Sequence, residues 1–146
     1  RGTQGYNGWS YLAQVGGATQ EIGSDGSIYW WDRGEGSRIQ QDGQHPGRSM
    51  EAVRRWRSAV NGTVKVYLQY RLQNGRGNTL LTLRQDGRTI WSQNVVSTGV
   101  LSDQMTPAVS AGTNLDLVVN SNGSQTDDLT LLRMTIDQQV SQCTPQ

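Results

Sequence analysis

Apolar and polar residues alternate most cleanly in NGTVKVYLQYR, residues 61–71, where Val64, Val66, Leu68 and Tyr70 are separated by Lys65, Tyr67 and Gln69. Successive side chains of an extended chain point to opposite faces, so this period of two predicts a strand with one buried face. Beyond the glycine-rich NGRGN, a second stretch, TLLTLRQDGRTIWSQNVV, carries Asp86-Gly87 between two alternating runs. That dipeptide suits a two-residue hairpin turn, whose central positions both need positive φ. Carried strictly through the turn, the register sets Arg84 opposite Thr89, Leu83 opposite Ile90 and Thr82 opposite Trp91. Leu81, Leu83 and Ile90 are then expected on the core face and Trp91 on the more polar one.

Two later runs repeat the pattern. NLDLVVNS sets Leu115, Leu117 and Val119 against Asp116, Val118 and Asn120, and DLTLLRMTIDQ offers Leu132, Met134 and Ile136 as an inward set. Upstream, GWSYLAQ, SIYWWDR and EAVRRWRS are shorter strand candidates, rich in aromatic or β-branched residues. Only HPGRSMEAVRR invites a helical reading, and Pro46-Gly47 limits it to about one turn. About eight or nine short strands with essentially no helix predict an all-β fold, a two-sheet antiparallel β-sandwich of jelly-roll type.

Composition sharpens this picture. The 146 residues suit one domain, taken as residues 1–140 with 141–146 as a linker or tail. Eighteen glycines against three prolines fit many tight turns, and with no Phe the five Trp and five Tyr must supply part of the core. No apolar run approaches the roughly 18 residues of a membrane span. The chain opens at RGTQGYNGWS without a signal-peptide pattern and reads as an excised domain. A net charge of +1, with no basic block, gives no footprint for nucleic acid. The cations are nonetheless lopsided: Lys65 is the sole lysine among 13 basic residues. Arginine's planar fork pairs with carboxylates and vicinal acceptors, which leans towards an acidic or densely hydroxylated partner. Cys143 is alone, so no internal disulfide can form.

The order QGYNGWSYL, HPG followed by VRRWRS, NGTVKVYLQYR, LRQDGRTIWSQNV, AGTNLDLVV and DDLTLLRMTI resembles the β-jelly-roll carbohydrate-binding modules of secreted bacterial polysaccharide-degrading enzymes. The pattern is shared with families 6, 22 and 35 and runs from Gln4 to about Ile136. The resemblance implies a secreted, extracellular, non-catalytic module, covalently attached to a catalytic domain and holding it near a polysaccharide, often with a structural calcium ion. Such modules bind sugars in a loop cleft at one end of the sandwich or on a concave sheet face, and the residues leave both open.

A sugar site needs flat aromatics for the C–H faces and planar polar groups for the hydroxyls. If SIYWW is extended, Trp30 and Trp31 face opposite ways, making Trp30 the core residue and Trp31 with Tyr29 the platform. In VRRWR the same parity groups Arg54 with Trp56; Trp56 reads as core more than contact, Trp9 more strongly so, and Arg54 is either a buried or edge partner of a carboxylate or a candidate contact. Tyr67, Gln69 and Arg71, beside Lys65, form a second candidate surface, which Trp91 joins only if its hairpin lies in the same sheet. His45 is the only histidine and reads as a loop contact, because it lacks a second histidine for a metal or a GxSxG elbow for hydrolysis. Asp25, Asp32, Glu35, Asp42 and Asp103 are loop acids without the paired spacing of a glycosidase. Asp127 and Asp128, adjacent like charges before the last strand, are the calcium candidates. Two rival functions remain: a small jelly-roll polysaccharide lyase or hydrolase, and a structural spacer.

Overall fold

The computed structural model describes residues 6–15, 18–21, 30–31, 38–40, 43–47, 50–123 and 128–139. They form a 3-10 turn, Tyr6–Gly8, and thirteen strands: β1 Trp9–Val15, β2 Ala18–Glu21, β3 Trp30–Trp31, β4 Arg38–Gln40, β5 Gly43–His45, β6 Glu51–Arg57, β7 Gly62–Leu72, β8 Thr79–Gln85, β9 Arg88–Val95, β10 Leu101–Met105, β11 Ala108–Val109, β12 Asn114–Asn120 and β13 Thr130–Gln139. The strand candidate EAVRRWRS supplies β6, whose inward row is Ala52, Arg54 and Trp56. Burying Trp56 outweighs the weak helical preference of its neighbours.

The strands build two antiparallel sheets. The first runs β2-β1-β6-β12-β8-β9, and the second β10-β7-β13-β5-β4-β3, with β11 also on β7. From β5 onward the chain keeps crossing between them, β6 in the first sheet, β7 in the second, β8 and β9 in the first, β10 in the second, β12 in the first and β13 in the second. This winding is that of a jelly roll, and it buries the facing sides of both sheets against each other.

The alternation read in residues 61–71 is realised: Val64, Val66, Leu68, Tyr70 and Leu72 are buried, whereas Tyr67 and Gln69 are exposed. They meet Leu81, Leu83, Leu115, Leu117 and Val119 of the first sheet and Leu132 and Met134 of β13. Each such side chain removed from water contributes about 1.5–3 kcal/mol, so the two central ladders carry most of the stability.

The hairpin departs from the strict register. Asp86 and Gly87 do take positive φ, 48° and 86°, and Arg84 faces Thr89. A β-bulge then intervenes, and Leu83 pairs with Trp91 rather than with Ile90. The extra residue turns Trp91 to the inner side, where it meets Tyr70 edge-on with ring centroids 5.6 Å apart. An indole gains more from packing against the core than from strict alternation on an outer face, and a bulge is the cheap way to rotate it there.

Candidate functional site

The long ladder between β7 and β13 determines which residues share the second sheet's outer face. It aligns Gln69 with Arg133, Tyr67 with Thr135 and Lys65 with Asp137. On the other side of β7, β10 sets Ser102 beside Gln69 and Gln104 beside Tyr67. Two transverse rows result, Gln104-Tyr67-Thr135 and Ser102-Gln69-Arg133, with neighbouring Cβ atoms about 5 Å apart. All six side chains are exposed.

These rows line a depression of about 310 Å³. A second one, about 330 Å³, adjoins it and shares Gln69 and Arg133, adding Arg71, Val100 and Leu131. Together they make a groove along the sheet. Tyr67 stands in it with 39% of its surface exposed, one of the large apolar-bodied side chains the fold leaves in solvent. An exposed phenol ring among amides, hydroxyls and guanidinium groups offers a flat apolar face ringed by planar hydrogen-bonding groups.

Beneath the groove the chemistry changes. Asp103 pairs with Leu68 on the inward row, and its carboxylate accepts the Tyr70 hydroxyl at 2.5 Å. Burial, then the hydrogen bond and charge of Asp103, push the Tyr70 phenol far above its ordinary range. Asp103 is thus engaged in holding the floor.

The sequence candidates divide accordingly. Tyr67, Gln69 and Arg71 come together in the groove. Trp91 does not: it belongs to the first sheet and faces the core. The expectation of an outer-face Trp91 fails because a strict hairpin register contains no bulge. Arg54 also lies away from the groove, half-buried on the inner side of β6 between Ala52 and Trp56. His45 ends β5, which is separated from β7 by β13, and its Nδ1 donates to the Pro46 carbonyl at 2.7 Å. Trp30 takes the register position opposite Ile39, a core residue, and Trp31 the position opposite Arg38. Tyr29 and Asp127 lie outside the described residues, as do Asp25, Asp32, Glu35, Asp42 and Cys143.

Asp128 is buried, and its carboxylate accepts the Asn78 amide at 2.8 Å, tying the β7–β8 connection to the start of β13. Among the described residues no three His, Cys, Asp or Glu side chains converge as a metal site. Of the candidate pair, the described residues include one carboxylate, Asp128, which already serves as a loop anchor.

Sequence reasoning missed Ser102, Gln104, Arg133 and Thr135. The outward parity of Arg133 and Thr135 is legible in DLTLLRMTIDQ, but their meeting with Tyr67 depends on which strands pair, and no local signal carries that.

No protein-family model and no curated protein sequence matches the chain. Carbohydrate-binding modules recur among the solved structures similar to it. CBM51 from Clostridium perfringens GH95, in complex with methyl-galactose, is 10% identical with a TM-score of 0.46, over 93% of this chain and 91% of that one. CBM35 from Paenibacillus barcinonensis is 16% identical with a TM-score of 0.42, over 94% and 98%. An arabinose-bound α-L-arabinofuranosidase, MgGH51, is 12% identical with a TM-score of 0.50, over 89% of this chain, which spans 23% of that enzyme's length. At 12% identity, that likeness is one of fold.

Proposed function

We propose that this domain binds a polysaccharide without modifying it, on the outer face of the second sheet, and that within a longer secreted protein it holds an attached catalytic domain near its substrate. One observation carries the reading: the exposed Tyr67 ring lies in a depression whose other outward groups are the amides, hydroxyls and guanidinium of Gln69, Gln104, Ser102, Thr135 and Arg133. That is the equipment for stacking on a sugar's C–H face while hydrogen-bonding its hydroxyls. The groove continues past Arg133 towards Arg71 and Leu131, which suits a chain better than a single small molecule. Among the described residues that line it the one carboxylate, Asp103, is turned inward to Tyr70, whereas acid–base cleavage of a glycoside uses two carboxyl groups flanking the bond.

Affinity electrophoresis and calorimetry against a polysaccharide panel test this, run beside assays for reducing ends and unsaturated products. Binding without turnover is expected. Turnover by the purified chain would replace the reading with the lyase or hydrolase, and failure on every glycan would favour the spacer. A structural calcium ion at Asp127 and Asp128 is a part of the proposal that recognition on the sheet does not need. A thermal midpoint lowered by EDTA and restored by calcium would support it, and an unchanged midpoint would remove it.

A further inference from the structure

Among the described residues, two arginines of the first sheet are paired with carboxylates and two of the second are not, although Arg57, outward on β6, also lacks a carboxylate. On the outer side of the first sheet, Arg55 meets Asp116 through two bonds of 2.8 and 2.9 Å, and Arg84 meets Glu51 through two of 3.1 Å. Each fork is filled by a carboxylate of this chain. Among the described residues, Arg71 and Arg133 in the groove of the second sheet have no carboxylate within ion-pair distance, and the Arg71 fork makes one long bond, 3.5 Å, to the Leu72 carbonyl.

Their placement makes the difference consequential. Gln69 pairs with Arg133 and Arg71 with Leu131, so the two arginines are diagonal neighbours on one face, about 7–8 Å apart at the backbone. Lys65 has Asp137 as its cross-strand neighbour. Arg71 and Arg133 are left as two like charges side by side, beside the apolar ring of Tyr67. A planar guanidinium is matched by a planar carboxylate, which it binds through two parallel bonds. Diagonal spacing on one strand pair suits a carboxylate carried by a sugar ring whose neighbour rests on Tyr67.

The geometry points to a uronic-acid glycan as the ligand, with Tyr67 as its stacking platform and Arg71 and Arg133 as its carboxylate-binding pair. This rests on the outer-face reading above and names the ligand class within it.

The experiment uses polygalacturonate, alginate and glucuronoxylan, each beside its carboxyl-reduced, neutral counterpart, with calorimetry at low and high salt. At least one uronate polymer is expected to bind about tenfold or more tightly than its reduced form, a preference that salt screens. Arg71→Gln with Arg133→Gln should abolish the preference with an unchanged thermal midpoint. The matching lysine pair should restore part of it, because charge returns without the fork. Equal binding of charged and reduced polymers, or a preference that survives the double glutamine variant, overturns the inference. If neutral binding then still depends on Tyr67, the outer-face reading stands alone; if no polymer of either kind binds, both fall.

Discussion

The two outer faces of this sandwich are built from the same residue types and end in opposite states. On the first sheet, Arg55 and Arg84 are locked to Asp116 and Glu51, Gln14 and Asn120 join the Arg84–Glu51 pair, and Leu12, Val53 and Val118 are buried among them. On the second, Tyr67, Gln69, Gln104, Arg133 and Thr135 stand in solvent around a groove. A face whose polar groups satisfy one another adds stability and offers a ligand little. A face whose donors end in water adds little stability and can exchange that water for a ligand's oxygens at small cost. Substitutions should therefore divide cleanly between folding and binding.

The largest effect is expected from Trp91, which belongs to the core side of this division despite its place in a polar-looking strand. Trp91→Ala removes the edge-on partner of Tyr70 and should destabilise the domain by about 3 kcal/mol, read by urea denaturation, with glycan affinity unchanged. A stable Trp91→Ala protein with lost affinity would move Trp91 to the binding face. Arg55→Ala should come next, at about 2 kcal/mol, because Asp116 is 4% exposed and would keep an uncompensated charge. The hydrogen bond to Asp116 is also what raises the Arg55 pKa further. By comparison Arg133→Ala should stay within about 0.5 kcal/mol of the parent in the same urea measurement. If the two arginine variants unfold alike, the contrast between the faces is broken.

Tyr67→Ala sharpens the other side of the comparison. It should weaken glycan binding about tenfold, equivalent to about 1.4 kcal/mol, while leaving the unfolding midpoint in place. A stability loss without an affinity loss would show that the phenol ring is structural.

How far this division could be read in advance depended on the range of each signal. The period of two in residues 61–71 marked the outward Tyr67 and Gln69, because parity is local and burial enforces it. It did not extend past Asp86-Gly87, because a bulge is decided by what Trp91 can pack against across the sandwich. The strand at Glu51–Arg57 was recognisable from Val53 and Trp56, and parity with Trp56 already put Arg54 on the inner row, which β1 and β12 then flank. The groove was half legible: one strand of it lay in the sequence pattern, and the flanking strands came from pairing between distant segments. Non-local pairing is set by the whole core, which no short window contains.

The floor shared by the two regions gives the smallest and most specific effect. Tyr70 is an inward residue of the groove's central strand, 3% exposed, donating to Asp103 and packed against Trp91. Its folded-state pKa lies above the value of about 10 that it takes in the unfolded chain. Below that unfolded value both states keep the phenolic proton, and the contribution of the buried, neutral phenol is fully present. As pH rises through the unfolded value, the unfolded chain loses the proton while the native state retains it, so the unfolded state gains and stability falls. The loss grows until the folded pKa is reached. Tyr70→Phe removes this ionisation while keeping the ring against Trp91. Denaturation profiles between pH 8 and pH 11 should therefore show the parent losing up to about 1 kcal/mol more than the variant near pH 10.5. Parallel profiles would mean that Tyr70 ionises as readily in the native state as in the unfolded one, and that the groove's floor is open to water.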